Sequence, residues 1–237
     1  MAEFSQSTLR NRLLKALSPG DFDLIRPHLR SMPTDNRQVM IRRHTPITTL
    51  FFVESGFTSV TTQGLSSAVE IGLIGPEGLV GAAPVMLGDD ATPYDHFVQS
   101  PGDVLSIGTH DLCAAADASA SLRRLLLRYV QTLLIQTAQT AFVNATFVIE
   151  VRLARWLLMC QDRLNGDEFE LTHEFLSVML GVQRTSVTLA LQTLEGNGLI
   201  RARRGHIQVR DREQLRVLAD DAYGVPEAEY ERLIDGG

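Results

Sequence analysis

Seven arginines fall between positions 184 and 216 (184, 201, 203, 204, 210, 212 and 216), against only Glu195, Asp211 and Glu213. That segment carries +4 in a chain of 237 residues whose net charge is −6, so the remainder carries −10. A guanidinium presents a rigid fork of donors that matches a phosphate or the edge of guanine. Gln183, Arg184, Thr185, Ser186 and Thr188 form a polar run at the start of a helical pattern. Arg184 can bond bidentately to guanine O6 and N7, and Gln183 can read adenine or hold phosphate. Arg203, Arg204 and His206 suit backbone phosphates, as do Thr172 or His173 at the head of an earlier helix. The chemistry implied is non-covalent reading of a polyanion. By count alone, a solvated arginine-rich surface stays open as the alternative.

The elements needed to position these groups are legible around them. Thr172 is a suitable N-cap and Glu174 suits a first helical turn. Leu176, Val178, Met179 and Leu180 supply apolar contacts, and Gly181 permits a left-handed turn. A second helix fits 183–197, burying Val187, Ala190, Leu191 and Leu194 at helical spacing. Helix, glycine turn and helix make a helix-turn-helix, whose second helix enters a major groove. Residues 198–209 then read as two short strands around Arg203-Arg204-Gly205, a hairpin with a basic tip. A helix-turn-helix with a basic wing is a more specific signal than either half.

Upstream the texture changes twice. Residues 5–29 look helical, with Leu9, Leu13, Leu14 and Leu17 on one face and a break at Ser18-Pro19-Gly20-Asp21. Residues 36–109 hold short β-favouring runs (38–42, 49–54, 58–62, 68–74, 95–99 and 104–107) punctuated by Gly, Pro and Asp, the pattern of a sandwich or barrel. From 121 to 160 there is neither Gly nor Pro. There Leu127, Val130, Leu134, Thr137, Ala141, Asn144, Val148 and Val151 alternate three and four apart, a heptad seam suited to pairing with a second copy. Phe142, Phe147 and Leu133 offer a second face for the parent domain.

Several chemistries fall away. The two cysteines, Cys113 and Cys160, lack a CxxC partner, which excludes a disulfide scaffold and four-cysteine metal sites. His28, His44, His96 and His110 form no recognisable pair for a haem. A cupin-type metal enzyme would need closely spaced ligands, yet the β region offers only His44 and His96 without an HxH. A ligand-binding module without nucleic-acid reading is a further alternative, against which Arg184 and the basic wing argue. No catalytic or metal-ligating residues are expected, and no cofactor is identified. No apolar run reaches the roughly 18–20 residues of a membrane span and the N-terminus lacks an apolar signal region, so a reduced cytoplasmic protein is expected.

The layout from Leu9 to Val209 resembles the CRP/FNR family of bacterial transcription regulators. The segments carrying the resemblance are 152–158 (RLARWLL), 171–199 and 75–81 (GPEGLVG). It implies an α+β chain: a cupin-like, double-stranded antiparallel β-roll sensing domain (1–118), a long dimerisation helix (119–148), a winged helix-turn-helix (149–225) and a tail (226–237). In members with an Arg-Glu-x-x-x-Arg reading pattern, the first arginine matches Arg184, but Thr185 and Leu189 stand at the other two positions. DNA reading is implied; the operator sequence is not. The cyclic-nucleotide cassette departs further. Its Gly-Glu-Leu segment resembles Gly81-Ala82-Ala83, and its Arg-Ser falls near Tyr94-Asp95, so glutamate and phosphate-binding arginine are absent. A buried phosphate would lose a charge-assisted pair and face Asp95, so cAMP or cGMP in the family mode is not expected. Thr137 resembles the adenine-contacting threonine. The redox members' N-terminal cysteines are missing.

The expected partners are double-stranded DNA, a second copy of the chain and RNA polymerase, with no membrane. A dimer along the seam sets two reading helices about 34 Å apart on a pseudo-palindrome. A ligand in the roll could act through helix register or a hinge near 149–152.

Overall fold

A computed structural model describes residues 5–63, 68–164 and 166–236. The chain divides into two compact units. The first comprises residues up to Val60, Leu73–Ile135 and the C-terminal segment from Glu229; the second comprises Thr61–Gly72 and Gln136–Ala228.

The elements run α1 Arg12–Ala16, α2 Pro19–Ile25, β1 Arg30–Pro33, β2 Val39–Ile41, β3 Thr49–Val53, β4 Phe57–Gln63, β5 Ala68–Ile74, β6 Leu79–Val80, α3 Ala82–Met86, β7 Asp95–Ser100, β8 Asp103–Gly108 and α4 Thr109–Ala118. They continue with α5 Ala120–Thr146, α6 Ile149–Arg163, β9 Glu168–Glu170, α7 His173–Leu180, α8 Arg184–Gly196, β10 Ile200–Arg203, β11 His206–Val209, α9 Arg212–Ala219 and α10 Val225–Tyr230. Two four-stranded sheets, ordered β1-β8-β3-β6 and β2-β7-β4-β5, build the roll.

The six expected strand segments all appear, within two residues at each end. Three further strands carry weak signals. β1 is an exposed edge ending in Pro33, β6 has two residues, and β9 places only Phe169 inward between two glutamates. The helical run breaks at Leu17–Ser18, at the head of the expected Ser18–Asp21 break, and the second helix starts two residues earlier than Asp21: Pro19 occupies the first turn of α2, whose N-cap Ser18 accepts from the Asp21 N–H at 3.1 Å.

Leu13, Leu14 and Ile25 from α1 and α2 meet Leu50, Phe52, Leu79 and Ile107 in the core of the first unit. The faces of α4 and α5 turned to that core carry Leu112, Leu122, Leu126 and Tyr129, with Leu133 partly buried against it. Phe142 and Phe147 do not serve the parent face as expected. They pack on each other edge to face at 5.7 Å, with Phe142 48% exposed.

The helical run from 121 to 160 is also interrupted. α5 ends at Thr146, and Val148 is extended at φ −66°, ψ 159°, capping α6. No Gly or Pro marks the break. Thr146, Val148 and Ile149 are β-branched, and the Thr146 hydroxyl donates to the Phe142 carbonyl at 2.7 Å. Val148 therefore sits in the joint, Val151 lies on α6, and the continuous row stops at Asn144.

Residues 226–237 were expected as a tail, but the chain is helical through Asp235, and from Glu229 onward it belongs to the first unit. Tyr230 and Ile234 are buried there. The Tyr230 hydroxyl donates to the Glu77 carbonyl at 2.6 Å, the Arg12 guanidinium lies 4.5 Å over its ring, and Arg12 pairs with Asp235. Burial, reinforced by Glu77, holds the phenol far above its usual range. Tyr230→Ala should lower the unit's stability in urea unfolding by about 3–5 kcal/mol. Tyr230→Phe, which removes one hydrogen bond, should cost about 1 kcal/mol.

Candidate nucleic-acid interface

The second unit is built on α6, where Leu153, Ala154, Trp156, Leu157, Leu158 and Cys160 are buried. The Trp156 indole N–H donates to Glu70 Oε1 at 2.7 Å. Arg155 is buried beside them and donates to Thr140 Oγ1 at 3.1 Å. Its pKa is lowered by burial, against the opposing pull of Glu227 and Glu70.

On this base stand α7 and α8. Thr172 Oγ1 accepts from the Phe175 N–H at 3.1 Å, the N-cap that its residue type indicates. Gly181 ends α7 in the left-handed region at φ 63°, and an added Cβ there would stand 3.3 Å from Val69. α8 buries Val187, Ala190, Leu191 and Leu194 and turns Arg184, Thr185 and Leu189 outward. Gln183 is the exposed N-cap of α8, and Ser186 is half-buried.

Thr188 behaves differently from its neighbours. Its hydroxyl donates to the Arg184 carbonyl at 3.1 Å and lies 3.1 Å from His173 Nδ1. With the Thr188 hydroxyl donating to the Arg184 carbonyl, the hydroxyl oxygen is left to accept, so this bond uses the His173 tautomer that carries a proton on Nδ1. His173 and Thr188 thus tie the two helices together. The sequence places them at two helix heads, but their mutual bond across 15 positions is not legible there.

The wing is three-stranded, ordered β10-β11-β9, with Arg203 opposite His206 and His206 opposite Glu170. Gly205 takes φ 79° at its tip, where Arg203 and Arg204 are exposed. The Ala202 N–H donates to Glu195 Oε1 at 3.0 Å, and the Leu171 N–H donates to the Gly205 carbonyl at 2.8 Å. These two bonds hold the wing against α8 and against the entry to α7. His206 Nδ1 lies 3.7 Å from Glu168 Oε1, so a carboxylate already faces it.

Arg212, counted in the basic segment, is structural. It donates to Asp162 Oδ1 at 2.6 Å and Gln161 Oε1 at 2.7 Å, while the Tyr223 hydroxyl donates to Asp162 Oδ2 at 2.7 Å. The free positive face is therefore Arg184, Arg203 and Arg204, with Arg201 and Arg210 exposed beside them.

Residues 151–218 match the model of the Crp-like helix-turn-helix domain. They are a Crp-like helix-turn-helix domain. No relative was found among curated proteins. Among solved structures, the chain is similar to FixK2 from Bradyrhizobium japonicum (TM-score 0.70, 16% identity, covering 82% of this chain and 99% of that one). It is similar to the c-di-GMP-responsive global regulator CLP from Xanthomonas campestris (0.66, 18%, covering 82% and 100%). It is also similar to a CRP/FNR-family transcriptional regulator from Thermus thermophilus (0.67, 18%, covering 82% and 100%). These likenesses establish the fold: the Crp-like domain stands on a chain with the architecture of the CRP/FNR transcription regulators.

The positions matching the family's cyclic-nucleotide cassette fall outside residues 151–218. Gly81 caps α3 at φ 88°, and a Cβ added there would come within 2.8 Å of Leu50 Cδ2. Ala82 is buried and Ala83 half-buried. Asp95 Oδ1 accepts from the Arg43 N–H at 3.0 Å, and Tyr94 is exposed. These five belong to the first unit, whereas Thr137 is an exposed residue of α5 in the second. Among the described residues no cluster of three or more His, Cys, Asp or Glu could hold a metal ion, and no helix is long and apolar enough to cross a membrane.

Proposed function

We propose that the chain is a homodimeric, sequence-specific DNA-binding transcription regulator, and not an enzyme, acting in the cytoplasm on a pseudo-palindromic operator. The observation that carries this reading is the outward face of α8. There Arg184, Thr185 and Leu189 stand opposite the buried Val187-Ala190-Leu191-Leu194 stripe, beside a wing tipped by two exposed arginines. That face fits a major groove, with Arg184 on guanine and Arg203 and Arg204 on phosphates. Thr172 and Gln183 are assigned to phosphate positioning. Thr188 and His173 brace the reading helix, and Glu168 moderates the share of His206. Selection from a randomised palindromic library should enrich half-sites about one DNA turn apart. Binding without sequence preference would sink the reading.

The dimer is supported by the exposed side of α5. Val130 is buried within its own unit, but Leu127, Leu134, Thr137, Ala141 and Asn144 are all exposed. A leucine left 57% exposed at position 134, on the row with Leu127, fits a helix that pairs with a second copy. Leu134→Glu should give a monomer by sedimentation, keep its helical circular dichroism and bind the operator at least tenfold more weakly. A monomeric wild type at micromolar concentration would refute the seam.

Sensing is assigned to the roll, without a cyclic nucleotide in the family mode. Leu50 closes on Gly81, and Asp95, at the start of β7 where the phosphate-binding arginine would stand, is partnered by Arg43 from the turn after β2.

A further inference from the structure

Leu189 is 63% exposed on the reading helix, five residues after Arg184 and one turn after Thr185. The buried stripe of α8 lies on the other side, so nothing in its own unit covers this side chain. An exposed large apolar group among polar neighbours loses hydration free energy until an apolar partner removes it from water. The floor of a major groove offers one such group at each A·T pair, the C5-methyl of thymine. Its polar neighbour Thr188 is held by His173 and its own helix backbone, which leaves Arg184, Thr185 and Leu189 as the groove-facing set.

We infer that Leu189 is a specificity-determining residue that reads a thymine methyl in each half-site. The inference rests on the proposed DNA-reading function. Five residues of helix rise about 7.5 Å, about two base steps of 3.4 Å, so this thymine lies about two base pairs from the guanine read by Arg184. Leucine makes no hydrogen bond, so the position discriminates by shape and apolar contact. It favours thymine over cytosine, which presents an amino group and no methyl.

The test uses the full-length protein and the operator obtained by library selection. Each thymine is replaced in turn by deoxyuridine, which keeps the base pair and removes only the methyl. The wild type should lose affinity about fourfold at one thymine per half-site, the equivalent of one buried methyl. Leu189→Ala should bind more weakly and show no further loss at that thymine. Leu189→Met should restore methyl sensitivity, and because the residue is exposed both variants should melt like the wild type. Sequence-specific binding that ignores every thymine-to-uridine change would overturn the inference and leave the proposed function standing. Sensitivity that persists in Leu189→Ala would also overturn it, pointing to the Thr185 methyl. Loss of all sequence preference in the wild type would overturn both.

Discussion

Arg184→Ala should lower affinity for the selected operator by about 1–3 kcal/mol in each half-site and relax preference at one guanine, without destabilising the free protein. Arg184 is the first residue of α8, where the helix dipole disfavours a cation. No acidic residue stands in that turn, and among the described residues no carboxylate pairs with its guanidinium. In the free protein the side chain therefore contributes nothing that alanine lacks, and alanine is the better helix former. Thermal stability should be unchanged or rise by a few tenths of a kcal/mol. Arg203→Ala and Arg204→Ala should behave differently. They should weaken binding to all sequences alike and reduce the slope of log affinity against log salt by about 1 for each phosphate left without its arginine. Equal losses on cognate and random DNA for Arg184→Ala would place it among the phosphate-binding arginines and remove it from base reading.

That contrast depends on sorting arginines that look equivalent in the sequence. Counting charges finds the basic segment, but it cannot separate Arg184, exposed and unpaired, from Arg212, held by Asp162, Gln161 and Tyr223. The partners of Arg212 on α6 lie about 50 positions away, and only the packing of α9 on α6 brings them together. His206 and Thr188 are similar cases, since Glu168 and His173 reach them across strand pairing and helix crossing.

The helix-turn-helix was legible because its determinants are local. A capping threonine, a glycine with positive φ and four apolar residues at helical spacing each act within a few positions. The joint at Phe147–Val148 was hidden because a break made by β-branched residues carries no Gly or Pro to announce it. β9 was hidden because its register is set by β11, which places Phe169 opposite Ile207. The resemblance assigns the effector cassette to positions 81–83 and 94–95, which belong to the first unit. What fills it was not readable, since the side chain that closes on Gly81 comes from Leu50, thirty-one positions earlier.

The roll should lose about 3 kcal/mol of stability between pH 7 and pH 4, and one histidine should account for it. His96 sits on β7 opposite Ile41 and is buried, and among the described residues its Nδ1 has no hydrogen-bond partner. Burial pushes its pKa from 6.5 down to about 4, opposed by the nearby Asp95 carboxylate. The folded pKa lies below the unfolded one, so between them the unfolded chain binds a proton that the folded chain refuses. Stability is complete above about 6.5, falls as the pH drops and has lost this contribution by about 4. His96→Leu should flatten that window while leaving stability at pH 7 equal or higher, because an unpartnered buried nitrogen is exchanged for an apolar group. A separate acid limb should remain below it. Burial raises the Asp21 carboxyl, but hydrogen bonds from Ser119, Ser121 and Ser18 outweigh this and bring it below its usual 3.8. A folded carboxyl held low contributes stability above its unfolded pKa and loses it only as the pH falls through the folded value, so this limb begins where the histidine limb ends. Urea unfolding across pH 3–7 separates the two. A wild-type curve flat from pH 7 to 4, or one that His96→Leu leaves unchanged, would show that the imidazole is hydrated.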